Sequence, residues 1–178
     1  MDHIESIKNK RIGFSVLNWG LGHVTRSVSI IHQLKLQSNE VFLFCSKEQK
    51  SIFSQYLLDV VFIDHDGYPF KFRGKGNFKL DIFRSLYSLY SHSKSEQKLC
   101  EKYVVNYDLD LLISDQRYGF YSSLVPSIFI THQLNFPLRG VYRIFNNINK
   151  HQILKFGCVW VVDNQNKLAG KLSVNQSF

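Results

Sequence analysis

Short runs of apolar residues alternate along this chain with longer segments whose apolar residues recur every three or four positions. The short runs have the length and composition of buried strands. They span residues 11–17, 41–45, 60–63, 109–114, 127–131 and 158–162. The longer segments have the spacing of helices and span residues 24–36, 46–58, 80–103 and 138–156. Strands that alternate with helices predict a single α/β domain, in which helices flank both faces of a parallel sheet.

The composition is that of an ordinary soluble protein, and we expect a cytoplasmic one. The 178 residues suit one domain, with 44% hydrophobic and 20% charged residues. No run approaches the roughly 20 apolar residues of a membrane helix, and residues 1–11 lack the apolar core of a signal peptide. Cys45, Cys100 and Cys158 are scattered along the chain, which argues against both a disulfide framework and a zinc site.

The net charge of +8 favours an anionic partner, such as a phosphate, a nucleic acid, an acidic lipid surface or an acidic protein domain. The lysines and arginines are dispersed, with no run longer than two. A nucleic-acid surface usually concentrates them on one face or along one helix. We therefore expect no nucleic acid among the partners.

Ligands of parallel sheets bind at the carboxyl ends of the strands. Three loops follow strands at that edge, and they span residues 18–23, 115–119 and 132–137. The first is the strongest signal, because Gly20 and Gly22 allow a tight turn and a close approach of the backbone to a ligand. It leads into a helix, whose first N–H groups favour anions. A tight strand-to-helix turn without a ligand is the alternative.

A dinucleotide-binding loop is the obvious rival for this segment. Gly20 and Gly22 match the first two glycines of G-x-G-x-x-G, but Thr25 occupies the third place. The second strand ends at Cys45 and Ser46, where an acidic residue would be expected to bind the ribose. The sequence also lacks G-K-[ST], which excludes a P-loop. We therefore expect no cofactor, and no cluster of metal ligands is visible.

His23 and Asp115 are the candidate catalytic residues. His23 lies at the start of a helix, where the positive end of the helix dipole favours a neutral ring that can accept a proton. Asp115 follows the fourth strand at the same edge, where a carboxylate could orient that ring. A capping or supporting role is the alternative for His23, and an N-cap role is the alternative for Asp115. Arg26 shares the helix face of His23, where it either holds a phosphate or carboxylate or is solvated surface.

The other candidate ligand-binding residues lie near the same edge. His132 and Gln133 end the fifth strand, and both would face the same cleft. A histidine whose polar atoms are satisfied within the fold is the alternative for His132. Tyr118 and Trp19 could stack on a sugar ring, or their rings could pack inside the protein.

Residues 68–78 form a basic-aromatic segment that breaks the alternation of strands and helices. Its cations, Lys71, Arg73 and Lys75, are interleaved with aromatic residues and glycines. Long loops inside a compact domain are usually functional or disordered. We expect this segment to be mobile without ligand and to contact the acceptor or a membrane surface. Docking of the segment on its own domain through its phenylalanines is the alternative.

Ordered blocks of the sequence resemble a known family. The glycine block VLNWGLGHVTR (16–26) is followed by ISDQRYG (113–119), IFITHQL (128–134), and the tail WVVD (160–163) with LAGKLS (168–173). Together they resemble the N-terminal domain of glycosyltransferases with two facing Rossmann-like domains, known as the GT-B type. The most similar group is that of the bacterial peptidoglycan N-acetylglucosaminyltransferase. The resemblance covers residues 11–173, and it implies a Rossmann-like sheet.

In inverting enzymes of this type, the loop histidine deprotonates the acceptor hydroxyl and a carboxylate supports it. By position, the resemblance assigns these roles to His23 and Asp115. It implies substrate binding by Gly20, Gly22, Arg26, Tyr118, His132 and Gln133. Many relatives carry a proline-containing loop end where this chain has Arg26, which leaves the acceptor open.

The family's second domain binds the nucleotide sugar, and the resemblance assigns no part of residues 1–178 to it. We therefore expect an acceptor-side domain, whether as a fragment, the product of a truncated gene or one subunit of a pair. The partners would be a sugar acceptor, a nucleotide-sugar donor held by the missing domain or a partner subunit, and the inner face of the membrane. The chain alone is expected to transfer no sugar. A non-catalytic module that binds an anionic glycan or glycolipid is the alternative.

Overall fold

The computed structural model describes residues 4–18, 21–67, 78–131 and 144–162, and strands alternate with helices along them. The strands are β1 (Arg11–Val16), β2 (Glu40–Cys45), β3 (Val61–Asp64), β4 (Leu111–Asp115), β5 (Ser127–Thr131) and β6 (Cys158–Val161). The helices are α1 (Leu21–Lys35), α2 (Lys47–Phe53), α3 (Phe78–Asn106) and α4 (Ile144–Ile153). A single 3₁₀ turn, Ile4–Ser6, precedes β1 within these ranges.

The six strands form one parallel sheet in the order β3-β2-β1-β4-β5-β6. The chain runs outward from β1 to β3, and then returns to the other side of β1 and runs outward again from β4 to β6. The direction therefore reverses between β1 and β4, where open α/β sheets bind their ligands. The predicted fold class, a Rossmann-like parallel sheet flanked by helices, is confirmed.

Side chains of each strand alternate between two apolar layers. Ile12, Phe14 and Val16 of β1 belong to the layer beneath α1 and α2. Phe42 and Phe44 of β2 belong to the layer beneath α3. The central strands β4 and β5 are buried along their whole length, whereas the edge strands β3 and β6 are partly exposed. Strands buried on both faces appear in sequence as continuous apolar runs, which is why the runs were recognisable.

A capping box begins α2 and ties it to the carboxyl edge of the sheet. The Ser46 hydroxyl accepts a hydrogen bond from the Gln49 amide at 3.3 Å, and the Gln49 side chain accepts one from the Ser46 amide at 3.2 Å. These two bonds satisfy backbone donors that a helix N-terminus leaves unpaired. The Gln49 side-chain amide also donates to the carbonyl of Val16 at 3.2 Å, and so fixes the helix against the end of β1.

The helix boundaries differ from those predicted. Helix α1 begins at Leu21 rather than at residue 24, so Gly22 and His23 lie in its first turn. The first N–H groups of a helix have no partner within the helix, so a glycine is tolerated there. Helix α2 ends at Phe53 rather than at residue 58, because the following turn buries Leu57 in the core.

Helix α3 carries a buried stripe at positions Ser93, Glu96, Cys100 and Val104, with the spacing of one helix face. It extends beyond its predicted end at residue 103 to Asn106. The amide of Leu109 then bonds to the Val104 carbonyl at 3.0 Å, so β4 begins two residues later than predicted. Across the part of the chain that the structure describes, no helix combines the length and the apolar character needed to span a membrane.

Candidate active site

Asp115 lies at the carboxyl end of β4, beside Val16 of β1, at the point where the sheet reverses direction. Its carbonyl accepts a hydrogen bond from the amide of Leu17 at 2.9 Å, which joins the ends of the two strands. Its carboxylate is completely buried. A buried carboxylate needs hydrogen-bond donors and a counter-charge, because leaving water is costly for a charge.

Helix α1 supplies these groups. His23, Arg26 and Ser27 have the spacing of neighbours on one helix face. Arg26 donates to both carboxylate oxygens of Asp115, from Nη2 to Oδ1 and from Nε to Oδ2, the latter at 3.3 Å. The Ser27 hydroxyl donates to Oδ2 at 3.1 Å, and His23 Nδ1 lies 3.2 Å from Oδ1. We call His23, Arg26 and Asp115 the His23 cluster.

The expected meeting of His23 and Asp115 at one sheet edge is confirmed by this contact, and their catalytic roles stay predictions. The two α1 side chains are partly accessible, with 13% of His23 and 17% of Arg26 exposed. A solute can therefore reach the ring and the guanidinium, whereas the carboxylate between them and the sheet is shielded. The shielded carboxylate of Asp115 can therefore act on a ligand only through His23 or Arg26.

Sequence reasoning did not single out Ser27, which is buried and supports Asp115. The available signal was its position. It follows His23 by four residues, so any carboxylate that contacts His23 and Arg26 also lies within reach of a hydroxyl there. A serine inside a helix is common enough that this signal becomes specific only once Asp115 is placed opposite.

Two of the other predicted substrate-binding residues, Gly22 and Tyr118, have contrasting surroundings. Gly22 has open space around the position of a Cβ atom, with no heavy atom within 4 Å in the described structure. Tyr118 packs against Phe129, with ring centroids 5.1 Å apart, and its hydroxyl donates to Asn149 at 2.6 Å. Burial raises the pKa of Tyr118. Its stacking on a sugar stays a prediction, and this placement shows the packing alternative.

Several further candidates lie outside the described residues. They are Trp19, Gly20, His132, Gln133 and residues 68–77 of the basic-aromatic segment. Thr131, which directly precedes His132, ends β5 at the carboxyl edge, and its hydroxyl accepts a hydrogen bond from the Gln116 side chain at 3.4 Å. The roles predicted for these candidates stay predictions.

A second group that combines a histidine, a carboxylate and an arginine lies on the α3 side of the sheet. It consists of His65, Glu96 and Arg117, and we call it the Arg117 cluster. Arg117 Nε donates to Glu96 Oε1 at 2.6 Å, and His65 Nε2 lies 2.9 Å from the same oxygen. Arg117 also donates to the carbonyl of Asp66 at 2.7 Å. All three side chains are almost fully buried, and Arg117 is completely so.

The charges of this cluster are coupled. Burial pushes the pKa of Glu96 upward, but the hydrogen bond from His65 and the charge of Arg117 outweigh it, and the pKa falls below its ordinary value. Nearby, burial lowers the pKa of His92. The other carboxylate oxygen of Glu96, Oε2, is buried and has no hydrogen-bond partner among the described residues. No local sequence pattern indicates that these distant residues meet, because the contact depends on how α3 crosses the sheet.

One short segment after β4 serves both clusters. Asp115 points toward α1, and two residues later Arg117 points toward α3. Between them Gln116 has a φ of 58°, in the left-handed region that non-glycine residues rarely adopt. The Ser114 hydroxyl closes this turn, since it accepts from the Arg117 amide at 3.1 Å and donates to the Arg117 carbonyl at 2.6 Å.

The thiol nearest this edge belongs to Cys45 and is buried. Cys45 ends β2, and burial raises the pKa of its thiol to about 12. A nucleophilic cysteine requires an accessible thiolate instead.

A group of three or more His, Cys, Asp or Glu side chains able to hold a metal ion is also absent from the part of the chain described here.

Comparison with known proteins identifies the class of fold. UGT89C1 from Arabidopsis thaliana, in a crystal structure complexed with UDP, has a TM-score of 0.59 and 12% identity, over 86% of this chain and 45% of that chain. MurG from Acinetobacter baumannii has a TM-score of 0.51 and 12% identity, over 88% of this chain and 42% of that chain. Both are GT-B glycosyltransferases.

The shared feature is the fold. This chain has the Rossmann-like architecture found in part of those enzymes, and it spans less than half the length of either. The resemblance seen in the sequence blocks is thereby confirmed at the level of fold. No protein-family model and no curated protein matches the sequence. At this level of identity, roles of individual residues do not follow from the likeness.

Proposed function

We propose that this chain is the acceptor-side domain of an inverting GT-B-type glycosyltransferase, with His23 as the base. The observation that carries the proposal is the contact between His23 and the buried Asp115. The contact lies at the sheet edge where the chain reverses direction, in a fold shared with glycosyltransferases. A partly exposed histidine beside a buried carboxylate is an arrangement suited to general-base catalysis.

The proposed reaction uses this geometry. With its Nδ1 proton directed to Asp115, His23 would present the lone pair of Nε2 to the acceptor hydroxyl. As the hydroxyl oxygen attacks the anomeric carbon, its proton passes to Nε2, and the bond between that carbon and the donor's diphosphate breaks. The electron pair leaves with the nucleoside diphosphate, and the anomeric configuration is inverted. Asp115 does not touch the acceptor; it orients the ring and stabilises the imidazolium.

The donor would be a nucleotide-activated sugar held opposite this edge. UGT89C1 was crystallised with UDP, which supports a nucleoside diphosphate as the leaving group. We propose that a second domain or a partner subunit holds the donor, as the two-domain enzymes with this fold suggest. Transfer needs the anomeric carbon within about 3–3.5 Å of the acceptor oxygen, so both halves of the cleft must be present.

A second candidate function is a non-catalytic module that binds an anionic glycan or glycolipid. The observation that favours it is the engagement of Asp115 by Arg26, which occupies both carboxylate oxygens. An arginine held in this way at an accessible edge can recognise a phosphate or carboxylate without any chemistry. This function needs only one half of the cleft.

The basic-aromatic segment remains part of the proposal as an acceptor or membrane contact. Its Lys71, Arg73 and Lys75 would attract anionic lipid at the inner face of the membrane. The triple change Lys71→Gln, Arg73→Gln and Lys75→Gln is expected to weaken binding to anionic glycolipid vesicles at low salt. Unchanged vesicle binding would remove this part of the proposal and leave the active site untouched.

Sugar transfer by the chain with and without a donor-binding half tests the proposed function. We expect the 178-residue chain to bind acceptor but to release no nucleoside diphosphate from a nucleotide sugar. Release and transfer should appear when the donor-binding domain or subunit is supplied. Transfer by the chain alone would contradict the acceptor-side assignment. Acceptor binding without transfer in the complete pair would instead establish the binding module.

A further inference from the structure

The hydrogen bonds of the His23 cluster determine which nitrogen of His23 carries the proton. Arg26 Nη2 lies 2.8 Å from His23 Nδ1 and also donates to Asp115 Oδ1. The guanidinium nitrogen has two hydrogens and no acceptor lone pair. It can therefore serve both neighbours at once only if Nδ1 accepts. A proton on Nδ1 would instead place two donors face to face at 2.8 Å.

His23 in this arrangement carries its proton on Nε2. The distance of 3.2 Å between His23 Nδ1 and Asp115 Oδ1 then separates two acceptors bridged by one donor group of Arg26. A ring with Nε2 protonated offers a donor to the acceptor hydroxyl rather than a base. The proposed reaction needs the other tautomer, in which Nδ1–H donates to Asp115.

Asp115 retains a complete set of donors when Arg26 is withdrawn. The Ser27 hydroxyl already donates to Oδ2, and His23 Nδ1–H would donate to Oδ1. Each oxygen keeps one hydrogen bond, so the buried carboxylate is not left unsatisfied. Arg26 is the member of the cluster with the largest exposed fraction, 17%, and its side chain is long enough to turn toward a ligand at the edge.

We infer that Arg26 is a positioning residue that holds His23 as the Nε2–H tautomer until an anionic group of the acceptor binds its guanidinium. Breaking the pair separates the Arg26 charge from Asp115, and an anionic group on a ligand would replace that carboxylate as its partner. A phosphate or carboxylate matches the forked donors of arginine. The acceptor is therefore one that carries a phosphate or carboxylate near the reacting hydroxyl.

This inference rests on the proposed function for its meaning, but its test does not involve sugar transfer. Long-range ¹H–¹⁵N correlation spectra of histidine rings distinguish which nitrogen is protonated. We would record them on the full chain at alkaline pH, where histidines are neutral. His23→Gln identifies the His23 signals. Two exposed histidines outside the His23 cluster, His32 at the other end of α1 and His151 on α4, serve as internal controls.

The wild-type chain should show His23 as Nε2–H. Arg26→Gln should convert His23 mainly to Nδ1–H and leave the His32 and His151 signals unchanged. Arg26→Lys provides a second variant that keeps a cation at this position but lacks the forked donor, and it should shift the population in the same direction. Nδ1–H in the wild-type chain, or Nε2–H in both variants, would overturn the inference.

Anion addition tests the second half of the inference. Inorganic phosphate and acetate, each compared with sodium chloride at equal ionic strength, should move wild-type His23 toward Nδ1–H. The stronger of the two would identify the acceptor's anionic group as phosphate or carboxylate. The same additions should leave His23 of Arg26→Gln unchanged, because that variant has no guanidinium to capture. An unchanged wild-type spectrum with both anions would contradict the anionic acceptor.

Discussion

The His23 cluster and the Arg117 cluster each combine a histidine, a carboxylate and an arginine, but they differ in the accessibility of these side chains. In the Arg117 cluster, Arg117 and Glu96 are 0% and 1% exposed. In the His23 cluster, the carboxylate of Asp115 is equally buried, but His23 and Arg26 reach the surface. One short segment, residues 115–117, supplies a member of each.

The difference shows that composition alone does not distinguish a site from a structural tie. The Arg117 cluster joins the end of β3, helix α3 and the turn after β4, and its three side chains are at most 3% exposed. In the His23 cluster, the partly exposed side chains of His23 and Arg26 can form hydrogen bonds to a ligand in place of those within the cluster. Arg117 and its neighbours therefore hold the turn that presents Asp115, whereas the His23 cluster carries the proposed chemistry.

Removal of each arginine should separate the two roles most clearly. Arg117→Met leaves the Glu96 charge buried without its cation, and we expect the free energy of unfolding to fall by about 3–5 kcal/mol. Arg26→Met removes two hydrogen bonds from the buried Asp115 but leaves it Ser27 and His23 as donors, so its cost should be smaller, about 1.5–3 kcal/mol. Urea denaturation of both variants measures the difference. Equal losses would mean that the His23 cluster is also a structural tie.

Two glycine substitutions give the next largest contrast. A Cβ atom on Gly119 would lie 2.5 Å from the Ser93 carbonyl oxygen and 2.6 Å from Glu96 Oε2. Gly119→Ala should therefore destabilise the fold by about 1–3 kcal/mol, as overpacking does. Gly22→Ala adds its methyl to open space on a helix, so stability should be unchanged or rise by up to about 1 kcal/mol. Acceptor binding, measured by calorimetry, should nevertheless weaken in Gly22→Ala if a ligand approaches this turn.

The pH dependence of the unfolding free energy should show the contributions of two groups in separate pH ranges. One is Glu96 of the Arg117 cluster, and the other is the neighbouring His92. The folded pKa of Glu96 is below its ordinary 4.5, so its contribution is present above pH 4.5 and is lost as the pH falls through the folded value. The folded pKa of His92 is below its ordinary 6.5, so the unfolded chain binds the proton first and stability falls as the pH drops below 6.5.

Denaturation of Glu96→Gln and His92→Gln across this pH range checks both assignments. Glu96→Gln should flatten the slope of unfolding free energy below pH 4.5, and His92→Gln should flatten the slope immediately below pH 6.5. These effects are smaller than those of the substitutions above. Slopes identical to wild type in both variants would show that other groups control acid sensitivity.

Much of the fold could be predicted from the sequence, because its strands are buried on both faces and so appear as continuous apolar runs. The strand 127–131 agrees with the structure at both ends. Helix ends were less predictable. Helix α2 ends at Phe53, and the turn after it buries Leu57 in the core. Helix α1 begins at Leu21, so Gly22 lies in its first turn. Tertiary packing decides such boundaries, and local patterns do not contain it.

The candidate site was partly predictable for a similar reason. Parallel strands place their carboxyl ends at one edge, so the placement of His23 and Asp115 at the same edge followed from the alternation of strands and helices. The double engagement of Asp115 by Arg26 did not follow, since it depends on the rotation of α1 about its axis. The Arg117 cluster joins residues from positions 65, 96 and 117, and nothing local to any of them indicates the others.

The most direct test of the central claim is the turnover of His23→Gln in the complete enzyme, with the donor-binding half supplied. Removal of a general base usually costs roughly 10²–10⁴-fold in kcat, and we expect a loss in that range with little change in donor affinity. Asp115→Asn should also lower kcat, and His32→Gln, an exposed histidine later on the same helix, is the matched control that should not. Near-normal turnover by His23→Gln would contradict the assignment of His23 as the base.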